Sequence, residues 1–164
     1  MPTKVKLMEV VAVFRDLVKN DTDIETFCQT NFGKSITIFT GLQRQFPSDE
    51  DSPFVAFLPD MKSGGCEAES FSWSFSCVIG LLNDNYSDLG NGAIEWEGLY
   101  LIDNLSELIS ESFKNLPSDY NISADIVNFD MIDNDEMYPL ATCDLSVAIN
   151  MQNVLGVENI PLRG

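Results

Sequence analysis

Two stretches of this chain alternate apolar with polar residues, and a helical period lies between them. In residues 71–82, Phe71, Trp73, Phe75 and Cys77 fall on one face and serines on the other. Period-two alternation marks a strand with one face in a core. The pattern dissolves at Val78 and Ile79, which predicts burial on both faces near the end of the strand. In residues 140–151, Leu145, Val147, Ile149 and Met151 alternate with Asp144, Ser146, Ala148 and Asn150. Between these stretches, residues 94–116 place Ile94, Gly98, Leu101, Leu105, Leu108, Ser112 and Leu116 at spacings of three and four. That spacing predicts one long helix, ended by Asn115 and Pro117.

The remaining elements follow from local chemistry. Residues 4–19 carry Leu7, Val10, Val11, Phe14, Leu17 and Val18 on one helical face. Residues 20–23 end that helix, and Thr22 or Asp23 caps a short turn over 24–28. Residues 35–42 are β-branched and read as a strand, followed by a polar loop over 43–52. Pro53 opens a strand over 54–58, and Pro59-Asp60 closes it. Residues 61–70, with Ser63-Gly64-Gly65, read as a connection, and 83–92 as a second loop. Residues 122–132 form a strand that pairs with 140–151 as a hairpin around the turn 133–136. The expected fold class is α+β: a mixed or antiparallel sheet of about five strands with two helices packed on one face. Residues 1–152 make one domain, and 153–164 is a tail without clear pattern.

Charge bears on partners. The formal net charge is -17, and it is uneven. Residues 1–62 hold seven Lys/Arg and nine Asp/Glu, whereas 63–164 hold only Lys114 and Arg163 against seventeen Asp/Glu. Nucleic-acid binding needs cations to displace counterions from phosphates, so this field repels DNA and RNA. No window approaches the ~20 apolar residues of a membrane span, and no secretory pattern follows the first lysines, so no membrane partner is expected.

Catalytic signatures are sparse. The chain has no His, which removes the usual Ser and Cys triads. Cys28, Cys66, Cys77 and Cys143 form no CxxC pair, so neither a zinc site nor a disulfide framework is expected. Cys77 and Cys143 read as small core residues. Gly33-Lys34-Ser35 looks like the end of a phosphate loop, but position 28 is Cys where that motif needs Gly. The loop 83–88 has Asp88 and Ile94 where a calcium loop needs Gly and Glu. The expectation is no enzyme activity, no cofactor and no metal.

The order of elements resembles the tail terminator, or tail completion, proteins of long-tailed bacteriophages. The residues that carry the resemblance begin with the N-terminal amphipathic helix and the Pro-entered strand Pro53-Phe54-Val55-Ala56-Phe57-Leu58-Pro59. Next come the strong strand over 71–82 and the long helix after it. A closing hairpin completes the pattern, with Asp133-Asn134-Asp135-Glu136-Met137-Tyr138-Pro139 at its turn. The resemblance spans about residues 4–151 and has no diagnostic motif. It implies a homo-oligomeric ring, usually a hexamer, that docks on the last ring of the tail-tube protein. The ring stops tube growth and meets the head-side neck or connector protein. It also implies residence in the virion, at the head-proximal end of the tail, after assembly in the host cytoplasm. DNA passes through such a ring without specific binding. Loop composition places the expected partner contacts at Met61, Lys62, Ser63, Gly64 and Gly65 and at Asp133, Asp135 and Glu136. Two rival expectations remain: a neck or tail-tube subunit, and a small enzyme or binding module that uses carboxylates or a divalent cation.

Overall fold

A computed structural model describes residues 6–41, 48–63, 70–116, 122–132 and 138–152. The chain opens with helix α1 (Leu7–Lys19), where Glu9 reaches back to accept from the Lys6 N–H at 2.9 Å. Helix α2 (Thr22–Phe32) follows directly. It is a full helix, longer than the turn expected over 24–28, and its cap is Asp21, neither Thr22 nor Asp23. The Asp21 carboxylate accepts from the N–H groups of Asp23 and Ile24, both at 2.9 Å. Gly33 ends the helix with φ 69°, a left-handed position that glycine occupies without steric cost. Among the described residues there are thus three α-helices where two were expected.

Strands β1 (Thr37–Thr40), β2 (Phe54–Ser63), β3 (Ser70–Leu82), β6 (Ile122–Ile132) and β7 (Leu140–Gln152) form one mixed sheet in the order β1-β2-β3-β7-β6. Only β1–β2 is parallel; the other pairs are antiparallel. The α+β class and the sheet of five strands match the sequence reading. Three elements differ from it. First, β2 does not stop at Pro59 but continues to Ser63, so Met61, Lys62 and Ser63 belong to a strand. Pro59 is tolerated because the ladder bulges between Pro59 and Met61, and because β1 pairs with β2 only as far as Phe57. Second, residues 86–96 are a separate hairpin, β4 (Tyr86–Gly90) and β5 (Ala93–Trp96), where a loop was expected. Third, helix α3 (Glu97–Ser112) therefore starts three residues after Ile94, and a 3-10 turn over Phe113–Asn115 completes it.

The helices cover one face. α1 packs on β2, α3 on β7 and β3, and α2 against α3. The covered face of the sheet presents Trp73, Phe75, Cys77, Ile79 and Leu81 from β3 beside Ala141, Cys143, Leu145, Val147 and Ile149 from β7, all buried. Alternation thus sends each strand's apolar set into one core, and the hydrophobic effect fixes the register.

Candidate functional site

Of the sequence-predicted contact residues, only Met61, Lys62 and Ser63 fall among the described residues, on β2. Met61 is exposed and pairs across the ladder with Ser74; Lys62 and Ser63 pair with Trp73 and Ser72. Gly64, Gly65, Asp133, Asp135 and Glu136 lie outside the described residues. The strands before the two loops do have a described register. Lys62 is level with Trp73 and so with Ile149, whereas Ile132 at the other loop is level with Thr142. Seven residues of β7 separate those levels, or roughly 23 Å at strand rise. The described strand ends next to the two segments, Ser63 and Ile132, lie at opposite ends of the sheet.

A projecting hairpin was missed at the sequence level. Gly90 pairs with Ala93 across Asn91-Gly92, whose φ angles are 54° and 82°. Two left-handed residues in a two-residue loop make the turn that suits a twisted hairpin, and Asn-Gly is its strongest sequence signal. The hairpin exposes Tyr86, Leu89 and Ile94, the last two at 62% and 69%. An isolated two-stranded ribbon is marginal in water. This one is anchored at its base. Trp96 Nε1 donates to the Asn83 carbonyl at 2.7 Å, and the Trp96 and Tyr138 ring centroids are 5.2 Å apart. The Tyr86 and Tyr138 ring centroids are 6.1 Å apart.

On the sheet face away from the helices, β3 and β7 carry Ser74, Ser76, Ser146 and Ala148, whereas β1 and β2 put Phe39 and Phe54 there. That face also places Asp130 directly across the ladder from Asp144. Like charges opposite each other oppose strand pairing. Burial, and then the Asp130 carboxylate, push the Asp144 carboxyl above the ordinary Asp value of 3.8. The folded state therefore binds more protons than the unfolded chain between 3.8 and the raised value. Stability falls as pH rises through that window and stays reduced above it. Asp144→Asn is expected to flatten this dependence and to add about 0.2–1 kcal/mol above the window. Urea midpoints of both proteins across acidic pH check it; an unchanged slope in the variant counts against the pair.

Among the described residues, β1 and β6 at the two ends of the strand order have open edges. At one end, β1 forms the wall of a groove of about 680 Å³ between itself, α1 and the start of α2. Val18, Ile24, Ile36 and Ile38 give its lining an apolar floor, with Arg15 and Lys19 on α1 beside it. Arg15 donates to Thr40 Oγ1 at 3.3 Å and pairs with Asp16 at 3.6 Å. The groove's other carboxylates serve local bonds. Asp21 caps α2, and Glu25 accepts from Gln29 and Ser35 at 2.9 and 2.8 Å. Those two donors hold the Glu25 carboxyl below its ordinary value. At the other end, β6 pairs only with β7 among the described residues and exposes Phe129 and Met131.

Other sequence candidates take structural roles. Gly33-Lys34-Ser35 follows a helix and precedes a strand, the reverse of a phosphate loop, and Lys34 donates to the Glu50 carbonyl. In the loop 83–88, Asn83 and Asp88 accept from the backbone N–H groups of Asn85 and Gly90. Among the described residues, no three Cys, Asp or Glu gather as a metal site requires. Cys28, Cys77 and Cys143 are buried free thiols. Burial, then the Glu25 charge, pushes Cys28 up to about 12. Burial alone raises Cys77, and burial with nearby carboxylates raises Cys143. The thiolate is the reactive form, so all three are expected to resist a thiol reagent at pH 8 until the protein unfolds. Mass mapping of labelled peptides reads this directly; prompt labelling of any of the three refutes it.

No protein-family model matches the chain, and no curated protein matches it.

Proposed function

We propose that this protein is a tail terminator of a long-tailed bacteriophage: a structural ring that caps the tail tube, stops its growth and joins it to the head-side connector, with no turnover of its own. The observation that carries the reading is the order of elements. An N-terminal amphipathic helix, a Pro-entered strand, a long strand leading to the principal helix and a closing hairpin occur in the sequence that the resemblance requires.

Three physical features support it. A cap between tube and connector needs two separate contact surfaces, and the described strand ends that adjoin the expected contact segments, Ser63 and Ile132, lie at opposite ends of one sheet. A closed ring needs two different, complementary patches on each copy, because a heterologous interface closes only when its rotation does. The two sheet edges differ in this way, one a short strand beside a groove and the other a long strand with exposed apolar side chains. The acidic balance of residues 63–164 suits a conduit that DNA passes without sticking.

The test is solution mass by light scattering over a concentration series, with negative-stain imaging, alone and with purified tail tubes. Closed rings, formed alone or only on tube ends, are the expected result. Open-ended tubes would move the assignment to a tube subunit. A monomer that ignores tubes would refute both, and a calcium- or magnesium-dependent rise in stability would then favour the carboxylate-module reading.

A further inference from the structure

We propose that neighbouring copies join edge to edge: β6 of one copy lays its outer edge into the groove beside β1 of the next. The inference rests on the ring reading, and it names the junction that the ring would use.

Among the described residues, no strand pairs with the outer edge of β1. The Thr37 N–H bonds to the Pro53 carbonyl and the Gly41 N–H to the Phe57 carbonyl, each at 2.9 Å, so these residues face β2. Strand alternation turns the backbone groups of Ile38 and Thr40 the other way, outward. An outward row of N–H and C=O groups is a template for another strand. Ile36 and Ile38 line the groove there.

The β6 edge offers the matching element. Phe129 lies across the ladder from Leu145 and Met131 from Cys143, so both point to the helix-covered face. Yet they remain 39% and 47% exposed, because no described element covers that edge. If β6 continued the sheet beyond β1, its helix-side residues would fall on the side of the β1 groove, against Ile36 and Ile38. Apolar burial would then drive the contact.

Charge decides which surfaces can meet. Each copy carries -17, so any self-association must overcome repulsion. On the helix-covered side the β6 edge carries Asp103 of α3, near Cys143, while Asp125 and Asp130 of β6 add negative charge on the opposite face. Arg15 and Lys19 are two of only nine cations in the chain, and both lie at the β1 groove. The groove's own carboxylates are held in local bonds, and Lys19 makes no salt bridge among the described residues. An acidic edge therefore meets less repulsion at this groove than against another acidic edge.

The two patches are different, so one defect on each side can be combined. Thr40→Pro removes an outward N–H from an edge strand, where proline is tolerated. Phe129→Glu places a charge in the proposed contact. Each variant is first checked for a native circular-dichroism spectrum, and Lys19→Glu serves as a second groove variant on an exposed helix position. Each single variant should need at least about tenfold more protein to assemble than the unaltered chain. A 1:1 mixture of Thr40→Pro and Phe129→Glu should yield two-copy species and no rings, since each pair retains one sound junction. Variants that assemble normally, or a mixture that stays monomeric, would overturn the junction and leave the ring standing. Failure of the unaltered protein to form rings even on tail tubes would overturn both.

Discussion

Phe75→Ala is expected to cost about 3–5 kcal/mol, the largest effect of any single truncation considered. Phe75 is fully buried on β3, a strand paired on both sides. Its ring centroid lies 5.1 Å from Phe14 of α1, 6.1 Å from Phe57 of β2 and 6.1 Å from Phe113 after α3. Phe14 and Phe113 in turn meet edge to face at 5.1 Å. The ring therefore joins the N-terminal helix, the end of the long helix and two strands. Removing it leaves a cavity among rigid aromatic neighbours, which cannot collapse as flexible side chains would. A domain of this kind holds about 5–15 kcal/mol in total, so the variant is expected to populate unfolded chain at mild denaturant. Urea unfolding reads it as a lower midpoint with an unchanged slope. A loss below about 1 kcal/mol would mean that the cluster relaxes into the gap.

The elements that bury a periodic face were legible in the sequence. The alternating face of the strand over 71–82, that of 140–151 over its described side chains, and the apolar stripe of the first helix all appear where the periods place them. Their signal is strong because water exclusion acts on every second, or every third and fourth, residue. The failures have a common cause: tertiary or turn chemistry outweighed pattern. The run before Gly33 carries a weak stripe, and Asp21 starts the helix through two backbone bonds that composition does not advertise. Residues 83–92 look like loop because their side chains face solvent, yet Asn91-Gly92 carried the hairpin signal. Ile94 fits the helical spacing of the following segment but lies exposed on β5. The helix begins after Trp96, whose indole stands 2.6 Å from where a Cβ on Gly98 would be. Gly98 is thus a close-approach glycine as well as a face position.

The surfaces proposed for assembly were the least legible part. An open edge is a property of strand order, and no local pattern encodes that β1 and β6 end the sheet. Phe129 and Met131 read in sequence as ordinary strand residues; only their exposure beside an uncovered edge sets them apart. Loop composition pointed instead to Met61, which the fold incorporates into a ladder.

Gly80→Ala is expected to remove about 1–3 kcal/mol, although it adds a single methyl group. A Cβ at residue 80 would stand 2.4 Å from Phe54 Cζ and 2.5 Å from Phe54 Cε1. Gly80 needs no left-handed conformation; it lies in a regular strand, directly across the ladder from Phe54. The conflict is therefore steric and falls on one ring. Phe54 is buried on the face away from the helices, with Phe39 of β1 at 6.3 Å. To admit the methyl, the Phe54 ring must swing away from Gly80 and lose that packing. The argument has a sharp check in a double-mutant cycle. With Phe54 already truncated to Ala, the same Gly80→Ala change meets no ring and is expected to cost little, a coupling of about 0.5–3 kcal/mol. Additive losses would show that something other than Phe54 needs the space. The consequence extends to assembly, because Thr37 pairs with Phe54 at the start of the β1–β2 ladder. A displaced ring loosens the strand that offers its outer edge to the next copy, so ring formation by Gly80→Ala should weaken more than its loss of stability alone would produce.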